Sequence, residues 1–254
     1  MSERSAEQNE FYVGYLAMPR RHGRAMLLAT LGLLTGFALL AGMIAGAQAF
    51  PGAGTWDATD GSTFEGTLSV DPYPRLRTID DDGAPMEAVL VEQGKIGATA
   101  RASAFSGKRV RVKGGLVRWG ARAVVELAAT PDDITTIGEG ESDAPGAGEA
   151  VTLEGEIVDP KCYLGVMNPG FGKPHLACAE LCIRGGIPPV LVVHSAGGPA
   201  EGECYLVTTA SGGAANEMVR GWVGRHVRVR GVLRPGGGGG WGSLAAETII
   251  AVSK

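Results

Sequence analysis

Two stretches of this chain occur twice in the same order, and that repeat limits its fold more than any other feature. Thr63-Phe-Glu-Gly-Thr-Leu-Ser-Val-Asp-Pro72 is matched by Thr152-Leu-Glu-Gly-Glu-Ile-Val-Asp-Pro160. Gly107-Lys-Arg-Val-Arg-Val-Lys-Gly-Gly-Leu116 is matched by Gly224-Arg-His-Val-Arg-Val-Arg-Gly-Val-Leu233. A repeat of this kind reads as one supersecondary unit used twice. The first pair starts 89 residues apart and the second 117, so the later copy carries 28 more residues between the shared segments. Val-Arg-Val-Lys/Arg alternates apolar with cationic side chains, the period-two mark of a half-buried strand, and the glycine that follows marks a bend. With 41 glycines and only 6% aromatic residues, short strands joined by many turns are favoured over helical bundles. The pattern predicts an all-β chain with two small tandem antiparallel Greek-key barrels of the oligonucleotide/oligosaccharide-binding (OB) type, over 63–135 and 149–254. A small sandwich is the alternative. The acidic Gly/Pro run 136–148 is expected to link the two units, and the glycine run 236–240 to form a hairpin loop.

Ahead of the first copy the composition changes twice. Residues 1–24 are polar, contain the segment Phe11-Tyr-Val-Gly-Tyr-Leu-Ala-Met-Pro19, and end in Arg20, Arg21, His22 and Arg24. From Ala25 to Phe50, 26 residues carry no charge. About 20 apolar residues suffice to cross a bilayer as helix. Ala47-Gln48-Ala49 has the small-x-small form of a signal-peptidase site, yet a signal core spans only ~7–15 residues, so an uncleaved anchor is expected. A cleaved signal and a twin-arginine export signal are the alternatives. Arginines before the span place the amino terminus in the cytoplasm, with 51–62 as a stalk and the rest of the chain outside the cytoplasmic (inner) membrane. Gly32 with Gly36 and Gly42 with Gly46 have small-xxx-small spacing, which is also ordinary membrane-helix composition. The net charge of -4 arises from mixed signs along the chain and provides no basic footprint for nucleic acid.

The extra residues of the second copy account for its chemistry. Cys162, His175, Cys178 and Cys182 form a Cys-x12-His-x2-Cys-x3-Cys pattern, and the first copy has no cysteine. Leu176 to Ile183 consists largely of good helix formers and stops at Gly185-Gly186, which puts Cys178 and Cys182 on one helix face with His175 one turn earlier. Three thiolates and an imidazole suit a transition metal such as zinc or copper. Met167 is a conceivable soft axial ligand, although packing is its more ordinary role. The spacing matches neither a haem-c motif nor a Rieske cluster. An even cysteine count outside the cytoplasm equally permits disulfides, with Cys178–Cys182 and Cys162–Cys204 as one pairing. His194 at a strand end and His226 on a strand face are weaker candidates. No nucleophile elbow, zinc-protease motif or phosphate loop occurs, and no catalytic residue is assigned.

The run Val158-Asp-Pro-Lys-Cys162-Tyr-Leu-Gly165, followed by Pro169-Gly170, Gly172-Lys173, His175, Cys178-Ala179, Cys182 and Gly185-Gly186-Ile187-Pro188-Pro189, resembles a group of largely uncharacterised bacterial membrane-anchored or exported proteins. The resemblance covers about 35 residues of the second copy. It implies OB-like barrels outside the cytoplasm and an accessory role beside respiratory or redox enzymes. The expected function is therefore a non-enzymatic, single-pass membrane accessory subunit presenting a Cys/His metal or redox centre, with a protein partner in an inner-membrane complex. Two other readings stand beside it. One is a structural interaction subunit stapled by two disulfides and docked through its amino-terminal aromatic segment; the other is a thiol–disulfide oxidoreductase.

Overall fold

The period-two segments do become strands, and they close on themselves twice. The computed structural model describes residues 18–48, 54–57, 61–141, 146–194, 203–236 and 240–252. Residues 11–17 of the amino-terminal aromatic segment, Ala49, and parts of the expected stalk, linker and glycine loop lie outside the described residues. The chain divides into two compact units, Met1–Phe50 and Pro51–Lys254.

The first unit is helix α1, Arg20–Gln48. Its Arg20–Gly46 portion has a mean hydropathy of 2.1 and is long and apolar enough to cross a membrane. Twenty-seven residues of helix extend about 40 Å, more than the ~30 Å of a hydrocarbon core. Leucine and methionine point outward all round it, with Leu28 and Met43 among the most exposed. An apolar surface on every side is stable only in an apolar surrounding.

In the second unit, the first barrel is built from β2 (Ser62–Ser69), β3 (Arg75–Ile79), β4 (Pro85–Val91), β5 (Lys108–Trp119) and β6 (Arg122–Leu127), with the four-residue α2 (Thr99–Ala102) between β4 and β5. β2 pairs with β3, β3 with β4, β4 runs parallel to β6, and β5 joins β6 back to β2. Two further strands lie on β5: β1 (Thr55–Trp56), inside the expected stalk, and β7 (Ile134–Glu139), which runs from the expected end of the first barrel into the expected linker.

The second barrel follows the same path. It uses β8 (Glu149–Val158), β9 (Val190–Val193), β10 (Cys204–Thr209), β11 (His226–Arg234) and β12 (Gly242–Ala251), with the one-turn α4 (Asn216–Val219) between β10 and β11. β10 and β12 are its parallel pair. The sequence repeat maps onto equivalent pairings, with Glu65 opposite Arg111 and Glu154 opposite Arg228. Their ion pairs measure 2.6 Å in both barrels. Val110, Val112, Val227 and Val229 point inward and are fully buried. The extra residues of the later copy occupy 159–189, between β8 and β9, and include α3 (Gly172–Arg184).

Each barrel has its own apolar interior, and a third core lies between them. Tyr73, Val89, Val91, Val117 and Val124 of the first barrel meet Tyr163, Leu164, Cys182, Ile187 and Trp241 of the second. The exchange is reciprocal. The Tyr73 hydroxyl donates to Val207 O at 2.6 Å and accepts the Ala215 N–H at 2.7 Å. Trp241 donates its indole N–H to Ala123 O at 3.0 Å. Closing the seam buries side chains that neither barrel interior would cover, and burying a large apolar side chain stabilises by roughly 1.5–3 kcal/mol.

Candidate metal centre

The 159–189 excursion folds back over the seam and gathers its sulfur there. β8 ends at Val158, and the buried Asp159 turns the chain by accepting the Cys162 N–H on Oδ1 at 2.9 Å. A single π-helical turn over Cys162–Val166 follows. α3 then begins at Gly172, whose N–H donates to Glu156 Oε1 at 2.6 Å, so a carboxylate from β8 serves the helix start. His175, Ala179, Cys182 and Ile183 form the buried face of α3, with Cys178 half-buried beside it.

The sulfur atoms of Cys162, Cys178 and Cys182 lie within 4.8 Å of one another. Cys162 Sγ and Cys178 Sγ are 3.7 Å apart. Tetrahedral zinc with Zn–S bonds of about 2.3 Å has a ligand–ligand edge of about 3.8 Å, close to the Cys162–Cys178 separation. A disulfide requires about 2.05 Å. The expected Cys178–Cys182 and Cys162–Cys204 bridges are not formed, because all four cysteines are free thiols. Cys204 is buried in the inter-barrel core and belongs to neither group of candidate ligands. Burial pushes its thiol up to about 12.

His175 is brought to the same place but joins a different set. Asp159, Cys162 and His175 offer ligand atoms within 4.8 Å of one another, and all three residues are buried. His175 Nε2 is 3.0 Å from Asp159 Oδ2. The distance suits an ion pair, yet neither atom has a hydrogen-bond partner, and Nδ1 has none either. The contact has the distance of a charged pair without the alignment of a hydrogen bond. Cys162 is the member shared by both sets.

A residue of the first barrel completes the surroundings. Lys95, in the turn after β4, places Nζ 2.7 Å from Cys178 Sγ and 3.8 Å from Cys182 Sγ. Its ammonium is held above the usual lysine range, first by the hydrogen bond to Cys178 and then by the charge of the sulfurs. Within the cluster, the hydrogen bond between Cys162 and Cys182 lowers Cys182 and raises Cys162, and Lys95 favours the Cys182 thiolate further. The turn is fixed from the other barrel. Buried Lys161 donates to Gly94 O at 2.9 Å and pairs with Glu126, and Gly97 N–H donates to Gly185 O at 2.9 Å. This contact requires glycine, since a Cβ at Gly185 would stand 1.8 Å from Lys95 O.

Sequence reasoning missed Asp159 and Lys95. Asp159 lies in the segment shared with the first copy, at the place of Asp71, and Lys95 lies in the copy that has no cysteine. His194 and His226 stack on one another with ring centroids 4.6 Å apart, and His226 faces Glu154. Neither belongs to the two ligand groups. Met167 packs against the inter-barrel core. Compared with protein-family models, curated proteins and solved structures, the chain matches none.

Proposed function

We propose that this is a membrane-anchored, extracytoplasmic accessory protein that holds a soft or borderline transition metal, such as zinc or copper, on Cys162, Cys178 and Cys182. The observation that carries the reading is the 3.7 Å Cys162–Cys178 spacing within a three-thiol cluster next to a cation. Thiols placed for packing alone have no need of Lys95 beside them. The strand path of both barrels, with the third strand parallel to the fifth and a short helix between the third and fourth, supports the OB-like tandem architecture. α1 supports the anchor, and the cytoplasmic amino terminus rests on the arginines ahead of it. A protein partner in the inner membrane, respiratory or redox, is the role that the sequence resemblance favours, with no catalytic residue of its own.

The test is elemental analysis with thiol counting on the full chain in detergent. Stoichiometric metal that protects three thiols from alkylation, and is lost in Cys178→Ser, is the expected result. A metal-free protein with four reactive or bridged cysteines overturns it.

A second reading draws on the same 3.7 Å contact. Cys162 and Cys178 would serve as a dithiol carrier, passing two electrons and two protons to a partner's disulfide, which becomes two thiols, while their own S–S bond forms. Reversible oxidation of that pair in metal-free protein favours this reading.

A further inference from the structure

We infer that the seam holds two ions rather than one, bridged by the Cys162 thiolate. One sits in the thiol triad, and the second is bound by Asp159, Cys162 and His175. This rests on the metal-binding reading above and extends it to a second position of harder, mixed O/N/S chemistry.

Three observations carry the inference. The ligand atoms fall into two overlapping triads with Cys162 in common, rather than into one cluster of five. Asp159 Oδ2 and His175 Nε2 are buried, lack hydrogen-bond partners and stand 3.0 Å apart. A buried carboxylate oxygen and imidazole nitrogen without hydrogen bonds are costly. A cation between them satisfies both, and the separation is close to the tetrahedral edge of about 3.3 Å expected for metal–N and metal–O bonds of 2.0–2.1 Å. The remaining carboxylate oxygen is already oriented by the Cys162 N–H, as the outer contacts of metal ligands commonly are.

A nucleophile–base–acid relay through Asp159, His175 and Cys162 is the competing chemistry. It needs the carboxylate hydrogen-bonded to one ring nitrogen and the thiol to the other, whereas neither nitrogen of His175 has a hydrogen-bond partner.

The deciding experiment is a titration of the chelator-treated full chain in detergent with Co2+ alone, followed by absorbance and by electron paramagnetic resonance. The expected end point is two Co2+ per chain, with resonance intensity falling as the second equivalent couples to the first through the shared sulfur. Asp159→Asn and, separately, His175→Gln should each end at one Co2+ and keep the thiolate-to-cobalt absorption. One Co2+ per chain in the unaltered protein, unchanged by Asp159→Asn, overturns the second position and leaves the triad reading intact. No bound Co2+ at all overturns both.

Discussion

At the scale of single residues, the consequential groups are those whose partner sits on the other barrel. Tyr73 is the clearest case, because its hydroxyl both donates and accepts inside a buried seam. Tyr73→Phe leaves the Ala215 N–H and the Val207 carbonyl unpaired, and a loss of about 1–3 kcal/mol in chemical denaturation of the full chain is expected. Burial pushes the Tyr73 phenol from 10.0 to about 12. A group whose pKa is higher folded than unfolded contributes fully below the unfolded value and loses that contribution as pH rises towards the folded one. Stability should therefore fall between pH 10 and 12, by about 2–3 kcal/mol for this group, and Tyr73→Phe should flatten that part of the pH profile. An identical profile in the variant would contradict the assignment. Cys204 adds to the same trend from pH 9 upward, since its thiol is likewise raised to about 12. The residue that couples the site to the other barrel is Lys95. With Lys95→Met, the rate at which iodoacetamide labels metal-free protein near pH 7 should drop several-fold, because an adjacent cation favours the reactive thiolate.

At the scale of elements, α3 carries two of the three thiols and owes its position to contacts outside its own sequence. Its first turn is tied to Glu156 of β8, and its end abuts Lys95 and Gly97 across the seam. Gly185→Ala should push the Lys95 turn away, because the added methyl meets a backbone oxygen that no rotamer change can clear. Weaker metal retention and a lower melting temperature are expected, with no change in the strand content seen by circular dichroism. Full retention of both would show that the turn yields freely. Glu156→Gln should fray the start of α3 by about 1 kcal/mol, measured as faster amide exchange at Gly172, Lys173 and His175. The strands were far more legible in the sequence than this helix. Period-two alternation exposed β5 and β11 directly. Helix propensity suggested only Leu176 to Ile183, and the first turn of α3 contains Gly172 and Pro174, whose propensities argue against it. A carboxylate from another strand overrides that local preference.

On the scale of the whole molecule, the two barrels behave as one body, since they share a third core and exchange Tyr73 and Trp241. Residues 146–254 expressed alone should expose Tyr163, Leu164 and Trp241, aggregate or melt broadly, and lose the Lys95 contact. Residues 51–254 should melt in a single transition. A sharp, independent transition for the shorter fragment would count against the shared core. The sequence by itself determined what depends on neighbours along the chain. Those features are the repeat, the alternation that makes strands, the long uncharged helix and the crowding of cysteine and histidine into 162–182. Only the tertiary structure decided that Asp159 and Lys95 stand beside the sulfurs, that Cys204 is set apart, and that His175 lies next to a carboxylate. Those outcomes depend on how two closed barrels meet, and a contact between residues 83 positions apart, such as Lys95 with Cys178, leaves no periodic trace in the chain.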